Sequence, residues 1–310
     1  MITGRSLPFR AKVIAQRGAQ KVAPNQRRAF MTQVIIMLAV GLIAGIAGAI
    51  LGLGGGIIIT PVLTLAMGIN IKYAIGASII AVIATSSGAT IAYLRDNVLN
   101  LRVAMFLEIF TTIGAILGAI LNGILSPVVL YLIFGLLLIY SGYNMIRKLR
   151  AGSEILQRVH PDPIAEKLEL NSSYYDKAAD KTVDYQVEHV PAGAAVMFGA
   201  GIASGLLGIG SGAFKVMALD TFMKMPLKPS TSTSNLMMGV TAAASATVYF
   251  FNGSIQPLIA VPLALGILVG ATMGSRIMQI LPSRWIRIIF VPIIFYIGLQ
   301  MFLKGFGVNI

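Results

Sequence analysis

Residues 41–63 read GLIAGIAGAILGLGGGIIITPVL, and residues 201–214 read GIASGLLGIGSGAF. In each stretch an apolar helical pattern runs into clustered glycine, Gly52-Leu53-Gly54-Gly55-Gly56 in the first and Gly208-Ile209-Gly210-Ser211-Gly212 in the second. A short apolar segment follows each cluster. It falls well below the roughly 20 residues that a helix needs to cross a hydrocarbon core about 30 Å thick. Glycine disfavours helix by about 1 kcal/mol per residue relative to alanine, so the spacing predicts an unwound stretch from which a new half-helix starts. Pro61 suits the opening turns of that half-helix, where a missing N–H is tolerated.

The surrounding composition puts these breaks in a bilayer. The 310 residues are 56% hydrophobic and 11% charged, with a mean hydropathy of +0.83, far from the roughly 25% charged mix of soluble domains. Further apolar runs cover about 71–94, 102–124, 127–147, 192–209, 213–223, 229–251, 256–281 and 285–303. They are separated by brief breaks such as Gly68-Ile69-Asn70, Arg95-Asp96-Asn97 and Ser126-Pro127. The expected fold is an all-α polytopic membrane protein. The net charge of +13 points to cytoplasmic flanks obeying the positive-inside rule rather than to nucleic acid. No cysteine is present, and His160 and His189 both fall in the polar middle of the chain. Disulfides, thiolate metal sites and a metal-dependent intramembrane enzyme are therefore not expected, and no cofactor is called for.

Residues 1–30 hold Arg5, Arg10, Lys12, Arg17, Lys21, Arg27 and Arg28 without an acid, as a cytoplasmic tail beside anionic membrane lipid would. The first membrane part runs over 31–148. A polar linker follows over 149–190: residues 148–190 carry eight of the eleven acids, and an HPDP turn signal lies at His160 to Pro163. A short amphipathic helix is expected there near Pro163 to Leu170. The second membrane part occupies 191–304 and a short tail 305–310.

The two parts are related. A shift of 156 residues places Ala44-Gly45-Ile46-Ala47 on Ala200-Gly201-Ile202-Ala203 and Gly52, Gly54 and Gly56 on Gly208, Gly210 and Gly212. The same register pairs Met67 with Met223, Lys72 with Lys228, Ser78 with Ser234, Thr85 with Thr241 and Tyr93 with Tyr249. It also pairs Gly114 and Gly118 with Gly270 and Gly274. Apolar matches come cheaply in a membrane chain, so the Gly, Tyr, Ser and Lys coincidences carry the reading of two homologous halves.

Unwound backbone at membrane depth is tolerated only where protein buries it or a cavity adjoins it. The matched breaks therefore mark a candidate substrate site. The first N–H groups of each half-helix and its dipole, about half a positive charge, favour a small anion. Candidate binding residues are Gly54, Gly55, Gly56, Gly210, Ser211 and Gly212. Lys215, three residues after Gly212, would add an ammonium to that field, unless it only snorkels or pairs with Asp220. Ser78, Thr85, Ser86 and Ser87, and the run Ser230 to Asn235 with Ser234 and Asn235, follow the half-helices and offer hydroxyl and amide donors. Most such residues in membrane helices only back-bond or pack. Glu108, six residues into its apolar run, is a candidate coupling residue or else a group near the headgroups. Gly114 with Gly118 and Gly270 with Gly274 read as helix-packing pairs. Arg284, Trp285 and Arg287 read as an interfacial anchor. Neither glycine cluster continues as GK[ST], so a nucleotide phosphate loop is not supported.

The run at 41–63, its echo at 201–214 and the segments Ser78 to Tyr93 and Ser234 to Tyr249 resemble the TauE/SafE family of sulfite and organosulfonate exporters. The likeness covers about 32–148 and 192–304, and Gly52 to Gly56 followed by Pro61 is its most specific part. It implies a helical transporter with duplicated halves and about eight spans, moving small sulfur-containing anions across the cell membrane. Lys215 and the long linker are not part of that pattern. The expected topology is inverted repeats, the usual way to bring two broken helices head to head at the midplane; the alternative is parallel halves of four spans each with tail and linker both cytoplasmic, which Arg147, Lys148 and Arg150 favour. In either scheme with a cytoplasmic tail, Lys224, Lys228, Arg284 and Arg287 would lie outside, against the charge rule. The rival readings are a passive anion channel and a membrane receptor or scaffold; homo-oligomers fit any of the three.

Overall fold

The computed structural model describes residues 24–52, 54–151, 162–176, 180–280 and 283–307. Most of the basic tail, Leu53, His160 and the side chains of Arg284, Trp285 and Arg287 lie outside these. Contacts divide the chain into Met1–Ile36, whose described residues are helical, and Met37–Ile310.

The described elements are α1 (Pro24–Leu51), α2 (Gly56–Pro61) with a π-helical turn (Val62–Ala66), α3 (Ile71–Arg95), α4 (Leu101–Ile124) and α5 (Pro127–Ala151). Then come α6 (Pro163–Lys167), β1 (Ser172–Asp176) and β2 (Lys181–Tyr185). The rest are α7 (Val190–Leu207), α8 (Gly212–Met217) with a π-helical turn (Ala218–Phe222), α9 (Leu227–Phe251), α10 (Pro257–Ile280) and α11 (Ser283–Gly305). Among the described residues, the membrane protein is helical apart from one hairpin. Among the described residues, five helices are long and apolar enough to cross a bilayer: Met31–Ile50, Ile71–Arg95, Leu101–Ile124, Val190–Leu207 and Pro257–Met278. Gly56–Ala66, Pro127–Tyr143 and Val291–Gly305 are shorter apolar helices. Element boundaries recur 156 residues apart, at Gly56 and Gly212, Val62 and Ala218, Ile71 and Leu227, and Leu101 and Pro257.

Helix α4 shows why such helices stay in lipid. Its Met105, Ile109, Ile113 and Ile120 are exposed, whereas Glu108, Thr111, Gly114, Ala115, Gly118 and Asn122 are buried. Bulky apolar residues face outward and small or polar ones face protein, the pattern expected when lipid replaces water as solvent. Small residues then set the packing. A Cβ on Gly118 would stand 2.1 Å from the Ile202 carbonyl oxygen of α7, and one on Gly274 would stand 2.4 Å from that of Ile46 in α1. Backbones in such contact gain close dispersion along the whole seam. Thus α4 packs on α7 and α10 on α1, while α3 and α9 pack against each other, α3 also against α10 and α9 against α4.

The linker is more structured than its polarity predicts. It holds the short helix expected near Pro163, now α6, and in addition the antiparallel hairpin of β1 and β2. Its Ala165, Leu170 and Val187 join a core with Val103, Leu107, Met197 and Met225. Asp162 fastens the start: its Oδ1 accepts from the Ile164 N–H at 2.8 Å and its Oδ2 from the Val190 N–H at 2.9 Å. One carboxylate thereby serves the first turns of α6 and α7. Burial pushes the Asp162 carboxyl up, but these N–H donors, that of Ala165 and nearby His189 outweigh it and hold it below the usual carboxylate range.

Candidate functional site

Both helices break where the glycines cluster. Gly52 and Gly54 take positive φ of 66° and 71°, and Gly208 and Gly210 take 64° and 69°. These are left-handed conformations that a side chain would strain. Ser211 follows at φ 45° and precedes α8 directly.

The two breaks meet. A Cβ on Gly56 would stand 2.6 Å from Ser78 Oγ and 2.7 Å from the Gly208 carbonyl oxygen. Only glycine lets the first half-helix lie against the second break. Gly54 and Gly210 close on the same two side chains, since a Cβ on either would stand 3.1 Å from Met238 Sδ, with Val82 beside it. Gly55 donates its N–H to Thr85 Oγ1 at 3.4 Å.

A helix that stops inside a bundle leaves its last carbonyls without partners. Side chains from α3, α4 and α9 supply them. Tyr93 donates to Ala49 O at 3.0 Å, Asn235 Nδ2 to the same oxygen at 3.3 Å, and Ser234 to Gly52 O at 3.2 Å. At the second break Tyr249 donates to Gly205 O at 2.7 Å, Asn122 Nδ2 to Leu206 O at 2.7 Å, and Ser78 to Gly208 O at 2.7 Å. The serines cross over, each holding the break of the other half. Ser78, Ser234 and Asn235 thus sit at the breaks, yet in this arrangement their donors hold backbone. Two polar atoms here are buried without a partner, Ser211 Oγ and Asn235 Oδ1.

The other hydroxyls named from the sequence do different work. Ser232 donates to Val98 O at 3.1 Å and Thr233 Oγ1 accepts from the Asn100 N–H at 3.1 Å, so both secure the turn between α3 and α4. Ser230 back-bonds to Met225 O at 3.3 Å. Ser86 reaches Leu236 O at 3.5 Å, and Ser87, exposed, bonds Ile83 O within its own helix at 2.9 Å.

Lys215 is fully buried on α8. Its Nζ donates to Thr241 Oγ1 at 2.5 Å, and Thr241 Oγ1 lies 2.6 Å from Glu108 Oε1. Accepting from the ammonium leaves that hydroxyl free to donate to the carboxylate. Thr112 also donates to Glu108 Oε1, at 3.0 Å. Glu108 therefore faces the interior of the bundle; it is 9% exposed, and its Oε2 is buried without a partner. The two charges singled out in the sequence are joined through a threonine that sequence reading did not select. Its one signal was the pairing of Thr241 with Thr85 between the halves. Counterparts 156 residues away from Lys215 and Glu108 are Ile59 and Ala264, so the ionic relay, which joins Lys215 of the second membrane part to Glu108 of the first, has no second copy at the matching positions.

A buried ammonium beside a broken helix, with a free hydroxyl one turn before it, is an arrangement able to hold a small anion. The comparisons agree with a transport role. The family profile of the sulfite exporter TauE/SafE matches residues 37–301. The chain is 26% identical to the "Probable membrane transporter protein YunE" of Bacillus subtilis, over 87% of this chain and 98% of that one. It is 25% identical to the "Probable membrane transporter protein YdhB" of the same organism, over 82% and 92%. With the "Probable membrane transporter protein MJ0441" of Methanocaldococcus jannaschii the identity is 24%, over 88% and 97%. No solved structure matches the chain. With its profile matched across both membrane parts, this chain belongs to the TauE/SafE family of membrane transporters.

Proposed function

We propose that the protein is a secondary transporter of the cell membrane that exports a small sulfur-containing anion, sulfite or an organosulfonate, by alternating access and without chemical change. The observation that carries this reading is Lys215: a fully buried ammonium on the half-helix that follows the second glycine break. Burying a cation is costly unless it is paired, and such residues inside membrane proteins mark ion pathways. The three oxygens on one side of the sulfur in a sulfonate or sulfite match a binding place built from the Lys215 ammonium, the Ser211 hydroxyl and the backbone at Gly210 and Gly212. On the first side, Gly54, Gly55 and Gly56 would complete it.

Alternating access is supported by the way the breaks meet. Gly56 touches Gly208, and Val82 and Met238 lie against Gly54 and Gly210, so an anion enters only when these parts separate. Recurrence of the element boundaries and of the α4–α7 seam in the α10–α1 seam supports duplicated halves, and the proposal includes inverted repeats with eight spans.

The test is flux into proteoliposomes of labelled sulfite, methanesulfonate, sulfate and a cation. Anion-selective flux is expected that falls at least tenfold in Lys215→Ala, about 1.4 kcal/mol of lost stabilisation. Flux of cations alone, or an unchanged rate in the variant, would defeat the reading. Conductance far above carrier rates would instead favour a channel.

A further inference from the structure

An anion that arrives at Lys215 takes the counter-ion place now held by Glu108. In the structure the ammonium and the carboxylate offset one another through Thr241, at 2.5 and 2.6 Å. Helix α4 packs against α7 and α9, and the charged or titratable groups on these elements are otherwise occupied. Helix α7 carries no acid, base or tyrosine. On α9, Lys228 pairs with Asp176 at 2.7 Å and Tyr249 donates to Gly205 O. On α4 itself, Arg102 pairs with Glu169 at 2.6 Å, in an exposed position. Asp220 lies on the π-helical turn after α8 with an interaction of its own. The group joined to Glu108 through Thr241 is therefore Lys215.

A bound monovalent anion would leave two negative charges around one ammonium in a dry interior. A carboxylate so placed neutralises by taking a proton. Glu108 has the atom to receive it: Oε2 is buried and no hydrogen bond occupies it. We propose that Glu108 is the proton-carrying partner of the transported anion, binding one proton from solvent as the anion displaces it from Lys215 and releasing it as the anion leaves. The inference rests on the anion-carrier reading above and adds its stoichiometry. One proton accompanies each anion, no bond other than O–H forms or breaks, and a monovalent anion crosses with no net charge. The stoichiometry is one because Ile59 and Ala264 stand at the positions matching Lys215 and Glu108, so the pair is not repeated there.

Methanesulfonate separates the two claims, being a permanent anion that cannot itself ferry a proton. With the full chain in proteoliposomes loaded with a pH dye, its entry should acidify the lumen by one proton per anion and should not respond to a potassium–valinomycin potential. In Glu108→Gln the ratio of protons to anions should fall to zero, whatever the remaining rate, and the potential should drive the flux. A second readout does not need transport. In detergent, adding methanesulfonate, or sulfite if flux selects it, should raise the infrared band of a protonated carboxyl in the parent and not in Glu108→Gln. Anion flux without proton movement in the parent, or a band that persists in the variant, would overturn the inference and leave the carrier standing. Absence of flux for every anion would remove the carrier, and the presence or absence of the band would still decide proton uptake at Glu108.

Discussion

Lys215, Thr241 and Glu108 form a unit whose members are poor candidates for separate substitution. Removing one partner of a buried ion pair strands the other, typically at about 3–5 kcal/mol, whereas removing both can be nearly neutral. Glu108→Gln should lower the melting temperature of the detergent-solubilised protein, and adding Lys215→Met should restore most of it. A double variant no more stable than Glu108→Gln would show that the two groups are not coupled. At the breaks, Ser78→Ala leaves the Gly208 carbonyl without its donor at 2.7 Å. A loss of about 1–3 kcal/mol is expected, the cost of an unsatisfied buried polar group. Both charges were legible in the sequence because an ion in an apolar run demands an explanation. Thr241 was not, since a membrane-helix threonine ordinarily bonds its own helix, and Thr241 also lies 2.7 Å from Met237 O.

At the scale of elements, the glycine clusters and the half-helices after them stand where the pattern placed them. Each half-helix ends in a π-helical turn, closed by Met67 N–H on Val62 O at 3.2 Å and Met223 N–H on Ala218 O at 3.0 Å. The widened turn forms in the second half without a proline at the position of Pro61, so proline is not its cause. Beyond its short helix the linker was legible only as polar, because Ala165, Leu170 and Val187, which join the core, are scattered among many charges. Its anchor is testable: Asp162→Ala should cost about 1 kcal/mol, as the loss of a helix N-cap does. The folded carboxyl is held below its unfolded value, so this stabilisation is present above the unfolded pKa and is lost as pH falls through the folded one. The difference in melting temperature between parent and variant should thus be full at neutral pH and shrink below about pH 4. On the seam of α4 and α7, Gly118→Leu should prevent the close approach to Ile202 and abolish assembly of a monodisperse protein on gel filtration.

For the whole molecule, topology is open to direct measurement because the chain has no cysteine. Single cysteines at Arg95 and Phe251, exposed positions 156 residues apart, should react with a membrane-impermeant maleimide from opposite sides if the repeats are inverted. Labelling from one side would show parallel repeats instead. Hydrophobic run length, glycine clustering and the recurrence at 156 residues follow from local chemistry, and the sequence alone therefore determined a helical membrane protein with two interrupted helices. Pairing across the bundle is not local. Which serine caps which break, the contact of Gly56 with Gly208, and the meeting of Lys215 with Glu108 through Thr241 depend on how α3, α4, α8 and α9 are brought together. Only the tertiary structure decided them, because a buried donor takes whatever acceptor packing sets beside it, however far away in the chain.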